Sequence, residues 1–299
     1  MSPHPTRSGY TYGLGALTAW GLLPVYWKQL AAIPSLELIG HRATWSVLFL
    51  LVLCALRGEG RELLSVLKAP KRALTLAFTG SLIASNWLVY VWGVNNGRLL
   101  ESSFGYFLSP LLTIALGALL LREHLSARKK CAVGLAATGV VLKAVCAGVV
   151  PWLGLYLACS MSFYGFVRKK LGVSSLVGLT VETMLLLPVA LGYLGYLSLT
   201  NDSHFLSAEM TTTVLLVLTG VCTSLPLMWF VRAGQLLPLS TLGILQYLSP
   251  TLQLVLAVAF FGEAMSTGAL VSFVLIWVAI GAYLYGDRLS QPVAARAAA

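Results

Sequence analysis

Arg42 and Glu182 are the two charged side chains set deep inside apolar sequence, so the chemistry open to this chain begins with them. Arg42 falls about two turns into an apolar run, within the stretch ELIGHRATWS from Glu37 to Ser46. A charge at the middle of a bilayer costs roughly 2.5–3.5 kcal/mol on insertion scales, so such a cation needs a partner or a wet cavity. Two roles are open to it. It binds the carboxylate or other anion of a solute, or it forms a structural ion pair with Glu182. Glu182 in turn has three roles open: binding a cationic group, carrying a coupling proton, or neutralising Arg42. Glu37 and His41 are four residues apart and share one helical face, and His41 is a second candidate for proton coupling. Arg42 is turned about 100° away from His41.

Amides and aromatics add a second layer. Asn86 lies near the middle of another apolar run, followed by Trp87 and Tyr90, and Gln246 and Tyr247 lie in a later one. Together with Trp45 and Tyr106 these side chains suit a site that stacks and hydrogen-bonds a small amphipathic solute. The candidate cavity set is therefore Arg42, His41, Trp45, Asn86, Trp87, Tyr90, Tyr106, Glu182, Gln246 and Tyr247. Competing readings stand beside it. Trp27, Trp92, Asn95 and Trp152 fit an interfacial belt, and Asn86 fits an interhelical hydrogen bond. Trp20, Trp27 and Tyr26 share the first apolar run.

Covalent chemistry has no comparable basis. His4, His41, His124 and His204 are scattered, and none forms an H-E-x-x-H pair. No phosphate-binding Gly-rich loop is present, and the five cysteines, all in or at the ends of apolar runs, lack metal-ligand spacing. They are expected to act as small buried hydrophobes. The expectation is no enzyme, no metal and no cofactor, with any work done drawn from a gradient.

The elements that must carry these residues are apolar runs of near membrane-spanning length, ten in series. Approximate spans are 10–30, 36–57, 73–95, 102–121, 129–147, 150–167, 175–199, 210–231, 239–261 and 267–285. About 20 apolar residues match the hydrocarbon core of a bilayer. The 299 residues are 58% hydrophobic and only 10% charged, against roughly 25% charged in soluble domains. Helices are expected throughout, because lipid-exposed backbone must satisfy its hydrogen bonds within the segment. The first run, behind Arg7, resembles a signal sequence but carries Pro24 and Lys28 and no small-residue cleavage site, so it is read as a retained helix.

The net charge of +10 is not a nucleic-acid signal, because the basic residues sit in short clusters between runs. With the N-terminus in the cytoplasm, sixteen Lys and Arg fall on the inner side and three, Lys28, Arg98 and Lys143, on the outer. That bias orients the chain with both termini inside.

Leu108-Ser109-Pro110 recurs as Leu248-Ser249-Pro250, and in the same register Glu123 matches Glu263 and Ser126 matches Ser266. This is read as a duplication, with residues 1–147 as one five-helix repeat and 148–299 as the second, the tail starting near 287. Five is odd, so the repeats run oppositely through the membrane, a pattern found in transporters whose site lies at the repeat interface. Pro110 and Pro250 are candidate paired hinges, since each removes a backbone hydrogen bond. Gly9 and Gly13 form a G-x-x-x-G, a weak helix-packing signal.

These features resemble the EamA branch of the drug/metabolite transporter superfamily, and within it the RarD group of bacterial permeases. The matching stretches are ELIGHRATWS, NWLVYVWGVNN from Asn86, ESSFGYFLSP from Glu101, VRKK from Val167, Glu182-Thr183 with Leu186-Leu187-Pro188, and Ser240 to Gly243 with Gln246-Tyr247. They cover nearly the whole chain. The resemblance implies a multi-pass inner-membrane transporter with a central cavity and alternating access, exporting a small metabolite or drug. The group is often labelled by chloramphenicol sensitivity or resistance, which is a weak guide to a natural substrate. The expected partners are a small-molecule substrate and the lipid bilayer, with no nucleic acid, and a homodimer is left open. The rival expectation is a membrane sensor or assembly protein with a static polar core.

Overall fold

The computed structural model describes residues 6–95, 99–147, 152–206, 209–260 and 267–290. Among them every regular element is an α-helix: α1 (Arg7–Gln29), α2 (Ser35–Leu56), α3 (Gly60–Leu67), α4 (Pro70–Asn95), α5 (Leu99–Leu120), α6 (Ala127–Ala147), α7 (Trp152–Leu171), α8 (Ser175–Leu199), α9 (Met210–Leu236), α10 (Leu239–Gln246), α11 (Leu248–Ala259) and α12 (Thr267–Ser290). Helices occupy all ten apolar stretches. Five described segments are long and apolar enough to cross a membrane, namely Ser35–Leu56, Pro70–Tyr90, Ser175–Leu199, Met210–Leu236 and Leu239–Leu256, and Gly105–Leu120 and Phe273–Tyr283 are shorter apolar helices.

Local chemistry sets the helix ends. Thr6 accepts a hydrogen bond from Gly9 N at the start of α1, and Ser174 does the same for Val177 N at the start of α8, each satisfying an otherwise orphan donor. Pro70 opens α4, where its missing N–H costs nothing. Gly172 takes a φ of +68°, which lets α7 reverse directly into α8.

The structure departs from the sequence expectation in three places. The ninth stretch is two helices broken at Tyr247. Pro250 has no N–H to offer the Gln246 carbonyl, and the turn closes through a tighter Tyr247 N to Ile244 O bond of 3.3 Å. The connection after α2 carries an additional helix, α3, anchored by the fully buried Val66 against Leu76, Val173 and Val177. Finally, only Cys54 of the described cysteines is buried; Cys222 is half-buried and Cys131 and Cys159 are exposed. A thiol suits an apolar exterior as well as an apolar core.

Large apolar side chains cover the outside, with Leu56, Leu74, Leu119, Val189 and Leu199 among the most exposed. Lipid accepts such a surface, whereas water would not. Inside, α1 packs on α9 and α11, α2 on α8 and α9, α4 on α7 and α8, α5 on α7 and α10, and α6 on α12. Gly9 and Gly13 serve this internal packing: a Cβ on Gly9 would lie 2.8 Å from Leu237 Cδ2, and one on Gly13 3.4 Å from Leu245 Cδ1.

Glycines let backbones meet where α2 crosses α9 and where α4 crosses α8. A Cβ on Gly220 would lie 2.4 Å from the Trp45 carbonyl carbon, and one on Gly80 3.2 Å from the Glu182 carbonyl oxygen. Backbone cannot move aside as a side-chain tip can, so Gly220→Ala must part α2 from α9. We expect it to destabilise the purified protein by about 1–3 kcal/mol, the usual cost of overpacking. Gly134→Ala, which meets nothing within 4 Å, should leave the melting temperature unchanged. Equal melting of the two variants would refute the crossing.

The four connections at one end of the bundle meet each other. Ser174 contacts Glu59 and Glu62, Gln235 donates to the Val173 carbonyl, and Glu123 accepts from Leu239 N and Ser240 N at 2.7 and 2.9 Å. Lys169 donates to the Gly234 and Leu237 carbonyls at 2.6 and 2.5 Å. Glu123 thus caps the start of α10 while Lys169 caps the end of α9. Arg57, Arg122 and Lys170 border these connections, and we call this the basic end. At the opposite end Glu37, fully buried, accepts from His204 N at 2.7 Å and pairs with His204 Nδ1 at 2.8 Å, tying the α8–α9 connection to α2.

Candidate functional site

A cavity of about 220 Å³ lies among α1, α2, α4, α5, α7, α9, α10 and α11. Its walls are aromatic and aliphatic. Trp20, Trp27, Trp87, Tyr90, Tyr106 and Phe230 all reach it, and Arg42 is the one charged side chain among its described lining residues.

Arg42 is held by two indoles. Its guanidinium lies 4.9 Å from the Trp27 ring centroid and 4.7 Å from that of Trp87. Each such contact contributes ~0.5–2 kcal/mol, rising with desolvation, which offsets much of the roughly 2.5–3.5 kcal/mol insertion cost. Its Nε donates to Thr223 Oγ1 on α9 at 3.0 Å. No described hydrogen-bond or ion-pair partner engages the Nη groups, although the Tyr26, Tyr90 and Tyr106 phenols lie within electrostatic reach. Tyr90 and Tyr106 meet edge-on at 5.7 Å.

Amides and hydroxyls complete the lining. Asn86 Nδ2 donates to the Leu157 carbonyl at 3.0 Å and to Ser160 Oγ at 2.8 Å, so Asn86 both faces the cavity and ties α4 to α7. Gln246 reaches Ser109 at 3.5 Å and Thr113 at 3.4 Å, and both hydroxyls meet Ser162 at 3.2 Å. Gln253 donates to the Trp20 carbonyl at 3.2 Å. Pro250 lines the cavity, while Pro110 lies behind it, where a Cβ on Gly243 of α10 would fall 2.7 Å from its carbonyl oxygen.

Of the sequence-predicted set, Arg42, Asn86, Trp87, Tyr90, Tyr106 and Gln246 converge here. The other four lie elsewhere. His41 and Trp45 join each other at 3.2 Å and pack on Phe205, at the end closed by Glu37. Tyr247 is fully buried among Phe107, Ala136 and Phe273. Glu182 lies near the basic end, where Arg168 Nε sits 3.3 Å from its carboxylate and Thr79 and Tyr164 donate to it at 2.6 and 3.1 Å. The ion pair left open for Arg42 and Glu182 is thus not formed; each has other partners. Glu263, Asn96 and Arg98 lie outside the described residues. Among the described residues no cluster of three His, Cys, Asp or Glu could hold a metal ion.

Sequence reasoning missed three contributors. Arg168 was assigned to a cytoplasmic cluster, yet it is fully buried and fills the space that the missing Gly178 side chain leaves, where a Cβ would fall 1.9 Å from Nη1. Trp27, which fits an interfacial belt by sequence, makes a cation–π contact with Arg42. Thr223 carried no signal of its own. One signal was present unread: Arg42 and Glu182, and Gly80 and Gly220, are each 140 residues apart, the same offset that relates Ser109-Pro110 to Ser249-Pro250.

An all-helical bundle with an apolar exterior around an aromatic, cation-bearing cavity defines a membrane protein with an internal binding site, and comparison with known proteins places it among transporters. Residues 7–144 match the EamA-like transporter family. An uncharacterised transporter of Pseudomonas aeruginosa is 44% identical over 98% of this chain and 100% of its own. The RarD protein of Escherichia coli is 39% identical over 97% of this chain and 98% of its own. A solved crystal structure shares the fold, with a TM-score of 0.71 at 20% identity over 92% of this chain and 96% of that one. The chain belongs to the EamA/RarD family of the drug/metabolite transporter superfamily.

Proposed function

We propose that this chain is a secondary transporter or facilitator of the inner membrane. It moves a small amphipathic solute outward through the Arg42 cavity by alternating access, with both termini in the cytoplasm. The observation that carries this reading is the cavity itself: a deep cation in contact with two indoles, beside amides, on helices drawn from both halves of the chain. In this reading the ten stretches form two inverted five-helix repeats.

The helix pairings support the repeats. Exchanging the halves maps the contact of α1 with α9 onto that of α7 with α4, α1 with α11 onto α7 with α5, and α2 with α9 onto α8 with α4. Pairs α2–α8 and α6–α12 map onto themselves. A solute path along such an axis can open at either end by moving one half against the other.

The basic end acts as the cytoplasmic gate, closed by Glu123 and Lys169 across the α9–α10 junction. His41 and Glu182 lie at opposite ends, outside the cavity, and are the titratable groups through which a proton would couple. Pro110 and Pro250 serve as hinges where α5 meets α10 and where α11 begins.

Reconstitution tests the reading. Proteoliposomes holding the purified chain should exchange at least one small amphipathic solute, from a panel including chloramphenicol, faster than empty vesicles. Flux indistinguishable from empty vesicles for the whole panel would favour the static sensor or assembly protein. Labelling cysteines placed at 123 and 263 from one side of the membrane should reach only one of them.

A further inference from the structure

We propose that the solute taken by this cavity is a monocarboxylate with an aromatic or apolar body, bound as the anion. The proposal rests on the transporter reading and names the substrate class of the same site.

The charge balance selects an anion. Among the described residues that line the cavity Arg42 is the one charged group, and no Asp or Glu is present. Glu182 is already occupied by Arg168, Thr79 and Tyr164. A cationic solute would meet a like charge and no acid among those described residues. A neutral amide would leave the Nη donors facing only a dipole. A carboxylate supplies the missing countercharge.

Geometry narrows the anion further. Trp27 and Trp87 each lie within cation–π distance of the guanidinium, and Thr223 takes its Nε. The Nη groups have no described hydrogen-bond or ion-pair partner, and their N–H groups match the two oxygens of a planar carboxylate. One cation suits a single negative charge; a phosphate dianion would be left half-compensated. Trp20, Tyr90, Tyr106 and Phe230 then offer stacking surface for the body of the solute. The volume of about 220 Å³ lies below the roughly 300–1,000 Å³ usual for drug-sized ligands, which favours a small metabolite.

Cys222 lines the same cavity and gives a direct readout. With Cys54, Cys131, Cys146 and Cys159 replaced by Ala, Cys222 is modified by an anionic sulfonatoethyl or a cationic trimethylammonium-ethyl methanethiosulfonate. Each rate is divided by that of a free thiol in solution. The normalised ratio should favour the anionic reagent at least 10-fold, and Arg42→Gln should bring it near one. A ratio at or below one in the Arg42 protein overturns the assignment.

A second measurement needs no altered residue. Phenylacetate and indole-3-acetate should raise the melting temperature of the unmodified chain at concentrations at least 10-fold lower than phenylacetamide, indole-3-acetamide or phenethylamine. Equal potency of acid and amide, or no effect of either acid, overturns the proposal. If an amide or amine crosses proteoliposomes and the acids do not, the anion assignment falls and the transporter reading stands. If the acids bind and no solute crosses, the transporter reading falls and the anion site stands.

Discussion

Arg42→Gln lowers solute flux at least 100-fold in proteoliposomes while the protein still folds; this is the largest functional effect we expect of any single substitution. Two hydrogen bonds to a charged group contribute about 1.5–3 kcal/mol each, and about 1.4 kcal/mol is a factor of ten in binding. Folding should survive because no acid among the described residues depends on Arg42. The substitution forfeits the Thr223 bond and the stacking of Trp27 and Trp87, and it also removes the cost of a deep charge. Arg42→Lys should fall between, since an ammonium keeps the charge but lacks the planar fork and stacks poorly. Initial rates on vesicles matched for protein content decide the matter. Wild-type flux from Arg42→Gln sinks the cavity assignment, and loss of folding points to a structural cation instead.

The largest stability effect should come from Arg168. It is fully buried, and its Nε lies 3.3 Å from the fully buried Glu182 carboxylate. The contact is an ion pair rather than an aligned hydrogen bond, and Arg168 Nη1 has no described partner. Removing one member of a buried pair strands the other charge, at about 3–5 kcal/mol. Arg168→Met should therefore melt far below the wild type, or not accumulate as a monodisperse species in detergent. Restoring charge balance with Glu182→Leu in the same chain should recover most of the loss, because a poorly aligned buried pair is replaceable by apolar side chains. Size-exclusion profiles and melting curves of the two single variants and the double variant form the cycle that measures the coupling. Additive losses would show that Arg168 and Glu182 do not stabilise each other.

Much of the fold was legible in advance because a bilayer leaves few choices. A lipid-exposed backbone must be helical, so runs of apolar residues of the right length could be read directly as α1, α2, α4 to α9 and α12. The break at Tyr247 was not read, although its cause, Pro250, was. Proline also lies inside α1, α5, α8 and α9 without dividing them, so the residue alone does not decide between a kink and a break. Six of the ten site candidates lie in one cavity; for Arg42, Asn86 and Gln246 that was legible because a charge or amide in mid-membrane is costly where it faces lipid, whereas an aromatic ring carries no such penalty.

Glu182 shows the limit of that reading. As a deep acid it looked like the natural counterpart of Arg42, yet α7 brings Arg168 to it first, through the gap left by Gly178.

The amino-acid sequence by itself determined the helices, their family, the asymmetry of basic residues, and the fact that a cation and an acid lie deep in the chain. Those follow from the energetics of single segments in lipid, which depend on composition and length. Only the tertiary structure decided that Arg42 faces a cavity between Trp27 and Trp87 while Glu182 is locked against Arg168. Whether a buried charge is neutralised depends on which side chain a neighbouring helix presents within about 4 Å, and that proximity arises only when the helices pack.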